Sequence, residues 1–493
     1  MEMESRFDTE TELIFSSLLK HADEQHHVYL VGGIVRDILM MKNIHDIDVS
    51  YCGNVKEYAR KVADTLKAKF FMLNEEFQTA RIIYKTESNN KRWIDVIATR
   101  ENIIEKDLFF RDFTVNSMAI DLADRNKIID PYGGAIDLQL KILKITNPNS
   151  ITDDPVRILR AIRLAVQFGW KISSETIHSI KNNSELLNLV TNERKRDELF
   201  KILDLPNPSI ALRIMHQLKL LELSFPDISE LPGSSSSKVN DDSFNFVLEK
   251  IDKFVEFEEL LIARRKHEAA MNIYQAELLI HLGGFRNELR KYFQESLHQD
   301  RNLRSLFILS LIYSSANDFY QIDTNQDMQN LPNQVIYAQL QNKKFSNLVL
   351  TKNEVKWINL FRNNLFLIQE AVNNEDLSLP EFAFDFFNQT KNSGIAICFF
   401  VLANQLSPSI NTNSNTIWKK YLLIVHQLVD AYFNHYQEWV DPPSYVNGHD
   451  IRKILKLKDG KMIGELLGKI KIKIVKGEIK NRQDAIDYLI TKC

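Results

Sequence analysis

The sequence predicts an α/β head domain that is followed by an all-helical neck, body and tail in an elongated molecule. Residues 1–150 mix strand and helix patterns, whereas strand patterns nearly vanish after Asp153. The 493-residue chain is 44% hydrophobic and 26% charged, which is typical of a globular protein with a full core. The expected divisions are a head at 1–150, a neck at 151–228, a body at 229–440 and a tail at 441–493.

The elements of the head follow from the periodicity of its apolar residues. "VYLVGG" predicts a strand that runs into a turn, "IVRDILMM" a short helix and "DIDVSY" an alternating strand. "RIIYKT" and "RWIDVIA" are two further candidate strands, and "KIIDPYGG" is a strand that ends in a turn. We therefore expect a sheet with helices on it.

Helical spacing dominates the remainder of the chain. "DDPVRILRAIRLAVQFGW" has that spacing, with Pro155 in the expected first turn. Polar, Gly-, Pro-, Ser- and Asn-rich stretches predict loops or linkers at 231–242, 323–333 and 407–416. In the tail, "KIKIKI" alternates like a strand, but its helical surroundings favour a helix.

Charge is unevenly distributed although the net charge is only −3. From Ile451 to the end there are twelve Lys and Arg against five Asp and Glu, whereas the preceding residues carry 50 against 60. A basic tail on an acidic body is typical of a protein that holds a polyanion at one end. A solvated charged helix explains the same composition, so both interpretations stay open.

Cysteine usage and the chain's start bear on the compartment. The three cysteines, Cys52, Cys398 and Cys493, fit neither a disulfide framework nor a zinc site, which favours a reducing compartment. The start is acidic and lacks the pattern of a signal peptide, and the apolar run near residue 400 is too short to span a bilayer. We expect a soluble cytoplasmic protein.

The stretch from residue 29 to residue 50 combines three features that suit a nucleotide with Mg²⁺. On a strand, Asp46 and Asp48 face the same way, and such a carboxylate pair suits a hard cation. Gly32 and Gly33 let backbone N–H groups approach an anion, and Arg36 can add charge-assisted bonds to phosphate. Alone, the two aspartates would more often be solvated surface and the glycines a turn, so it is their joint spacing that favours a site.

The motifs in this order resemble those of class II tRNA nucleotidyltransferases and bacterial poly(A) polymerases, a branch of the polymerase-β-like nucleotidyltransferases. The resemblance covers residues 28–205 and 445–490, and it implies a mixed sheet in the head. It is carried by "GGIVRD…DID", "RDFTVNSMAID" (111–121), "DPYGGAIDL" (130–138), "DDPVRILRAIRLA" (153–165), "NERKRDELFKIL" (192–203) and a tail similar to that of bacterial CCA-adding enzymes.

The resemblance implies a role for each matching residue and an RNA substrate. Two metal ions would activate the RNA 3′-hydroxyl for attack on the α-phosphorus of a nucleotide and stabilise the departing pyrophosphate. Asp95, on another predicted strand, is a candidate third carboxylate. The implied roles are Mg²⁺ binding by Asp46 and Asp48, triphosphate binding by Gly33, Arg36 and Arg111, ribose 2′-hydroxyl selection by Asp112, base reading by Asp154 and Arg157, and further nucleotide contacts by Arg160 and Arg163.

Base reading has a physical basis in the Asp154 and Arg157 side chains, which three-residue spacing would place on one helix face. A carboxylate accepts and a guanidinium donates, which matches the amino group and ring nitrogen that both cytosine and adenine present. Uracil and guanine present the reverse order and would leave buried charges unpaired. The alternative is that Asp154 is only a helix N-cap, with Pro155 in the first helical position.

Two departures from the family pattern bear on specificity. Phe110 replaces the first of the paired arginines before the Asp-Phe-Thr motif, which removes one contact. After the "WIDVIATRE" strand only residues 102–110 intervene, whereas the family has a long flexible loop that lets the pocket switch from C to A. The short connection favours an enzyme that adds CC from CTP, with a separate A-adding enzyme acting on the same tRNA.

Other functions remain as alternatives. The enzyme could add full CCA from CTP and ATP if the body replaces the loop, or it could be a bacterial poly(A) polymerase. A non-catalytic tRNA-binding relative is disfavoured by the intact carboxylates. A metal-dependent phosphohydrolase in the body is rejected, because His267 and His281 are not followed by Asp.

Overall fold

The computed structural model describes residues 7–23, 26–44, 46–86, 91–225, 241–262, 272–298, 301–313, 348–374, 378–406, 415–456 and 460–492. The chain forms two compact units, Met1–Glu198 with Ile214–Leu223, and Leu199–Arg213 with Ser224–Cys493. Within the described ranges, the structure contains no helix with the length and apolar character needed to cross a membrane. The division into four domains stays a prediction.

The first unit is built on a seven-stranded sheet in the order β3-β4-β5-β2-β1-β6-β7. Strands β2 and β5 are parallel and the remaining neighbours are antiparallel, so the predicted α/β head with a mixed sheet is confirmed. The strands are β1 Val28–Val31, β2 Asp46–Tyr51, β3 Lys69–Asn74, β4 Thr79–Lys85, β5 Lys91–Ala98, β6 Ala119–Asp121 and β7 Ile128–Ile129.

Helices cover one face of this sheet and leave the carboxylates of β2 on the other. Ile47 and Val49 are fully buried in a core shared with α1 and α3, so Asp46 and Asp48 point to the opposite side. The helices of this part of the chain are α1 Thr9–Leu19, α2 Gly33–Leu39, α3 Val55–Leu66, α4 Ile104–Phe109, α5 Gly134–Leu140, α6 Ser150–Asp153, α7 Arg157–Phe168, α8 Ser174–Asn183, α9 Asn192–Leu203, α10 Pro208–Gln217 and α11 Leu221–Ser224. A short parallel pair, β8 Ile142–Leu143 and β9 Lys171–Ile172, precedes α8.

Where the structure describes it, the second unit is helical apart from the short hairpin β10 Ser296–His298 and β11 Arg301–Asn302. The apolar run near residue 400 forms α19, all twelve residues of which are buried, so it is the central helix of this core. The helices are α12 Asp241–Leu261, α13 Ile273–Leu282, α14 Arg286–Gln294, α15 Leu303–Ile312, α16 Lys352–Asn363, α17 Leu367–Val372, α18 Leu379–Thr390, α19 Gly394–Gln405, α20 Asn415–Asn434, α21 Gly448–Leu455, α22 Gly460–Val475 and α23 Arg482–Lys492.

The helix predicted for "KIKIKI" is confirmed, since these residues lie in α22. Ile463 and Ile470, seven residues apart, are buried in a small tail core, and Leu466 and Ile474 are partly buried against it. That spacing is helical, and it outweighs the local alternation.

The predicted linker at 323–333 lies outside the described residues, as does most of the other two. Residues 241–242 and 415–416, at the ends of those two, are helical instead and begin α12 and α20.

Candidate active site

Three carboxylates share the open face of the sheet. Asp48 on β2 is the register partner of Asp95 on the parallel strand β5, and Asp46 lies one position along the same face. Both oxygens of Asp95 accept from Arg81 on β4, at 2.7 Å from Nε and 2.7 Å from Nη2. Asp95 therefore has its own counter-ion, whereas neither Asp46 nor Asp48 forms an ion pair with a described residue.

The environment of Asp48 disfavours a bare negative charge. Burial raises the pKa of Asp48 to about 6, and the charges of Asp95 and Asp46 act in the same direction, whereas Arg111 and Arg160 oppose them. A carboxylate pair with this mutual repulsion gains from a cation between its oxygens. The hard oxygen donors of Asp46 and Asp48 fit a divalent cation, because Mg²⁺ in such sites uses one or two carboxylates and completes its shell with waters and substrate phosphates.

The absence of a side chain at Gly32 leaves space for an arginine next to Asp48. The φ of +76° and ψ of −136° at Gly32 lie in a region that side chains rarely adopt. A Cβ built there would be 2.8 Å from Nη1 of Arg111 and 3.6 Å from Oδ2 of Asp48. Arg111 is also held by Asp107, 3.1 Å from its Nη2. The glycine thus leaves the space in which a guanidinium lies beside Asp48, at the amino end of α2, which starts at Gly33.

Arg36 is placed differently from Arg111. It is buried, and its guanidinium lies over the Phe168 ring, with Cζ 4.6 Å from the centroid. Nε and Nη2 donate to Oδ1 of Asp37 at 2.9 and 2.8 Å, and Nη1 donates to Asn116 at 2.8 Å. Arg36 therefore ties α2 to the segment before β6 and to α7, and its phosphate contact stays a prediction.

Asp112 is a buried carboxylate whose two oxygens have different surroundings. Oδ1 accepts from the Phe113 amide at 2.9 Å and from Asn116 at 3.1 Å. Oδ2 is 3.0 Å from Nη2 of Arg160 but has no hydrogen bond of good geometry. Burial by itself would raise the pKa of Asp112, but Arg160, the Asn116 hydrogen bond and Arg157 outweigh it and lower that pKa. Asp112 is thus held as an anion beside Arg160, with one oxygen that lacks a hydrogen bond of good geometry.

The expectation that Asp154 and Arg157 share a helix face is wrong. Asp154 has an extended backbone, with φ −150° and ψ 93°, and lies between α6 and α7 rather than on a helix. The alternative that Asp154 caps α7 is also wrong, because the N-cap is Val156 and no side chain caps that end. A residue before proline is pushed out of the helical region, and Pro155 follows Asp154.

Their side chains bind different partners. Oδ2 of Asp154 pairs with Nη2 of Arg194 at 2.8 Å, whereas its Oδ1 is buried without a hydrogen bond. Nη1 of Arg157 donates to the carbonyl and hydroxyl oxygens of Ser150 at 3.1 and 3.0 Å, and Nη2 donates to the Phe110 carbonyl at 2.7 Å. Arg157 is therefore fixed between α6 and the end of α4.

Arg163 and Arg160 lie one turn apart on α7 and differ in their surroundings. Nε of Arg163 donates to the buried Glu198 on α9 at 2.8 Å, and Nη1 donates to Gln167 at 3.1 Å. Arg160 faces Asp112, and its Nε is buried without a partner. Arg163 thus joins α7 to α9, whereas Arg160 belongs to the Asp112 cluster.

Several supporting residues were not predicted. Asn116, Arg81 and Arg194 each bind a candidate site residue, and Glu198 binds Arg163. Arg194 and Glu198 lie in the motif at residues 192–203, so the family resemblance could have indicated them. Arg81 stands in a predicted strand with nothing in its own pattern to mark it.

The short connection after β5 is folded onto the sheet. Residues 104–109 form α4, in which Ile104 and Leu108 are buried against Val31 and Ala119. The connection also carries Asp107, which accepts from Arg111, and ends at Phe110, whose carbonyl oxygen accepts from Arg157. The connection therefore contacts both Arg111, which lies beside Asp48, and Arg157 at the start of α7.

Three segments of the chain match models of known protein families. Residues 28–144 match the model of the "Poly A polymerase head domain". The head is therefore similar to this family. Residues 169–231 match the "Probable RNA and SrmB- binding site of polymerase A", and residues 444–489 match "tRNA nucleotidyltransferase domain 2". The family resemblance inferred from the motifs is confirmed.

Curated proteins similar to part of the chain include CC-adding, CCA-adding and A-adding enzymes. A CC-adding tRNA nucleotidyltransferase of Geobacter sulfurreducens is 34% identical over 194 residues, 39% of this chain and 44% of that protein. A CC-adding tRNA nucleotidyltransferase of Halalkalibacterium halodurans is 34% identical (46% and 54% covered), and a CCA-adding enzyme of Lactobacillus johnsonii is 33% identical (45% and 56%). The chain spans about half the length of the curated relatives it matches.

Solved structures match along almost the whole chain and show the fold. The apo form I of a CCA-adding enzyme has a TM-score of 0.63 at 23% identity, with 99% of this chain and 96% of that chain covered. A Thermotoga maritima CCA-adding enzyme complexed with tRNA has a TM-score of 0.57 at 23% identity, with 99% and 97% covered. The architecture of an α/β head and a helical remainder is therefore shared with these proteins.

Proposed function

We propose that the chain is a template-independent tRNA nucleotidyltransferase that builds the 3′-terminal CC or CCA of tRNA and releases pyrophosphate. The observation that carries this proposal is a single cluster of unsatisfied groups. Asp48 lies beside Arg111, with Asp46 next to it on the same strand face, and Oδ2 of Asp112, Oδ1 of Asp154 and Nε of Arg160 are buried without hydrogen bonds. Buried polar atoms are normally paired, so such a cluster is typical of a site that a polar ligand completes.

Asp46 and Asp48 would hold Mg²⁺, which their oxygen donors suit. When bound, the cation would supply activation of the RNA 3′-hydroxyl and stabilisation of the departing pyrophosphate. Arg111 lies next to Asp48 and would neutralise the phosphates of the nucleotide, together with Gly33 and Arg36 as the family resemblance implies. The chain itself thus supplies the fixed charges around the triphosphate.

Asp112, Asp154 and Arg157 would select the nucleotide. Oδ2 of Asp112 lies 3.0 Å from Nη2 of Arg160 without a hydrogen bond of good geometry, and we assign it as the acceptor for a ribose 2′-hydroxyl. The free Oδ1 of Asp154 is an acceptor suited to the amino group that cytosine and adenine both carry. Arg157 would donate to the adjacent ring nitrogen, either through its Nε or by exchanging its bond to the Phe110 carbonyl oxygen. Uracil and guanine would place an acceptor against Asp154.

Addition of CC alone is the outcome that the short connection favours. Helix α4 is packed on the sheet, and residues 107 and 110 bind Arg111 and Arg157. These contacts oppose the movement that would be needed to reorient the base-reading residues between C and A. We therefore propose CC addition from CTP, with a separate A-adding enzyme completing the same tRNA in the cytoplasm. Full CCA addition from CTP and ATP is the second candidate, since relatives of both kinds match the chain.

The test is to incubate the protein with Mg²⁺, CTP, ATP and a tRNA that ends at its discriminator base, and then to sequence the 3′ ends. Ends that stop at CC support CC addition, ends in CCA support the second candidate, and a run of A would indicate a poly(A) polymerase. The Asp46→Asn variant should lose incorporation while still binding tRNA. Unextended tRNA with the wild-type protein would refute the proposed function.

A further inference from the structure

The open sheet face continues from the carboxylates to the edge of the sheet. Strands β5, β4 and β3 present alternate side chains on the same side as Asp46 and Asp48, because residues in register on neighbouring strands share a face. Two rungs cross the sheet in this way: Asp48, Asp95, Arg81 and Phe71, and next to them Asp46, Trp93, Ile83 and Lys69.

On this side, large aromatic rings are exposed among lysines. Trp93 is 37% exposed and Phe71 is 42% exposed. Lys69, Lys85 and Lys91 are exposed around them, and none of the three forms an ion pair with a described residue. We call these five residues, Lys69, Phe71, Lys85, Lys91 and Trp93, the edge face.

The chemistry of the edge face matches single-stranded nucleic acid. Exposed aromatic rings give stacking surfaces for bases, and unpaired lysines give charge for a phosphate backbone. Arg81 lies against the Trp93 ring, with Cζ 5.4 Å from its centroid, and is itself fixed by Asp95. The indole is therefore supported from one side while a third of it stays open to a ligand.

The order of the strands gives the edge face a defined place in the proposed reaction. On one side of β2 lies β1, which ends at Val31 just before Gly32, where Arg111 lies beside Asp48. On the other side lies β5, with Trp93 beside Asp46. In-line displacement requires the attacking hydroxyl to approach the α-phosphorus on the side opposite the bond to the pyrophosphate, which breaks as the new P–O bond forms. With the triphosphate at Arg111, the attacking 3′ end enters over β5.

We propose that the edge face binds the single-stranded 3′ end of the RNA substrate, with Trp93 stacked on a base near the growing end and the lysines on backbone phosphates. This inference rests on the proposed function, because it gives a binding surface for the RNA strand that the proposed reaction extends. It assigns no part of the edge face to the incoming nucleotide.

The test compares Trp93→Ala with the wild-type full-length protein. The affinity for tRNA lacking its CCA end should fall about tenfold, since loss of one base–aromatic stack has that order of effect. The KM for tRNA should rise in parallel, whereas the KM for CTP should stay within about twofold. Trp93→Phe, which keeps an aromatic ring, should recover most of the tRNA affinity. Leu13→Ala, which shortens a side chain that is 49% exposed on α1, is the control for loss of exposed apolar surface and should change neither constant.

The lysines are tested by salt dependence. Each of Lys69→Gln and Lys91→Gln should reduce the slope of log affinity against log salt by about 0.7, the value for one contact with a single-stranded backbone. Unchanged tRNA affinity in Trp93→Ala, or a rise confined to the KM for CTP, would overturn the inference. If the wild-type protein binds RNA through Trp93 but incorporates no nucleotide, the proposed function fails while the RNA surface stands.

Discussion

Replacement of Gly32 by alanine tests the position of Arg111 beside Asp48. The added Cβ would lie 2.8 Å from Nη1 of Arg111, about 0.6 Å inside ordinary contact. Either the guanidinium or the turn must move. A side chain forced into this backbone region costs about 1–3 kcal/mol of stability. Loss of a charged hydrogen bond to phosphate is worth about 1.5–3 kcal/mol, which corresponds to a roughly 10- to 100-fold fall in kcat/KM for CTP.

The two effects of Gly32→Ala are separated with Gly133→Ala. Gly133 also has a positive φ, +75°, but a Cβ built there meets nothing within 4 Å. Denaturant unfolding should show destabilisation in both variants, whereas CTP binding and CMP incorporation should fall only in Gly32→Ala. If both variants keep wild-type affinity for CTP and wild-type kcat/KM, the placement of Arg111 at the triphosphate is wrong.

Three further predictions concern the ribose contact, the second unit and the tail. Asp112→Asn should reduce the preference for CTP over dCTP about tenfold, the order expected for one lost charged hydrogen bond, as measured by the ratio of the two kcat/KM values. Glu354→Gln should cost about 3–5 kcal/mol of unfolding free energy, because it leaves the buried Arg301 without its counter-ion; Arg301 Nη2 and Glu354 Oε2 lie 3.1 Å apart. Burial alone would raise the pKa of Glu354, but hydrogen bonds, of which that from Arg301 is the largest, lower it. The stabilisation from the pair is therefore complete above the unfolded pKa of roughly 4.3 and is lost as the pH falls through the folded pKa. The melting temperature of the wild-type protein should fall over this pH range, and the variant should lack that step. In the tail, Lys469→Gln should weaken tRNA binding more than Lys471→Gln in a filter-binding assay, because Lys469 is exposed whereas Lys471 already pairs with Asp441 at 2.8 Å; equal effects would contradict this.

Local patterns predicted the parts of the head that depend on local physics. "DIDVSY" forms β2 over the predicted residues, because alternating burial is itself a strand property. Strands β3 and β6 were not predicted. Phe70 and Phe71 are adjacent apolar residues that β3 sends to opposite faces, one towards the core and one exposed. The order of the strands, which places Trp93 beside Asp46, depends on long-range pairing and has no local signal.

The error at Asp154 has a different origin, because the information was present in the sequence. Proline disfavours a helical backbone at the residue before it, so Pro155 should have placed Asp154 outside the helix. The partners of the site residues, by contrast, could not be derived from spacing. Arg194 reaches Asp154 across 40 positions of sequence, and such a pair exists only when α9 lies against the segment before α7.

Helix α4, in the short connection after β5, contacts both the phosphate-binding and the base-reading residues that we propose. Its Asp107 holds Arg111, which lies beside Asp48, and the Phe110 carbonyl at its end holds Arg157, which we propose reads the base. A movement of Arg157 that changed the pocket from C to A would have to break the 2.7 Å bond to Phe110 or carry α4 with it. Moving α4 would in turn pull Ile104 and Leu108 out of the core against Val31, which costs about 1.5–3 kcal/mol for each buried side chain that becomes exposed. A long flexible loop would carry no such cost. The same packing that makes the short connection stable therefore opposes a change of base specificity, which is the physical reason to expect synthesis to stop at CC.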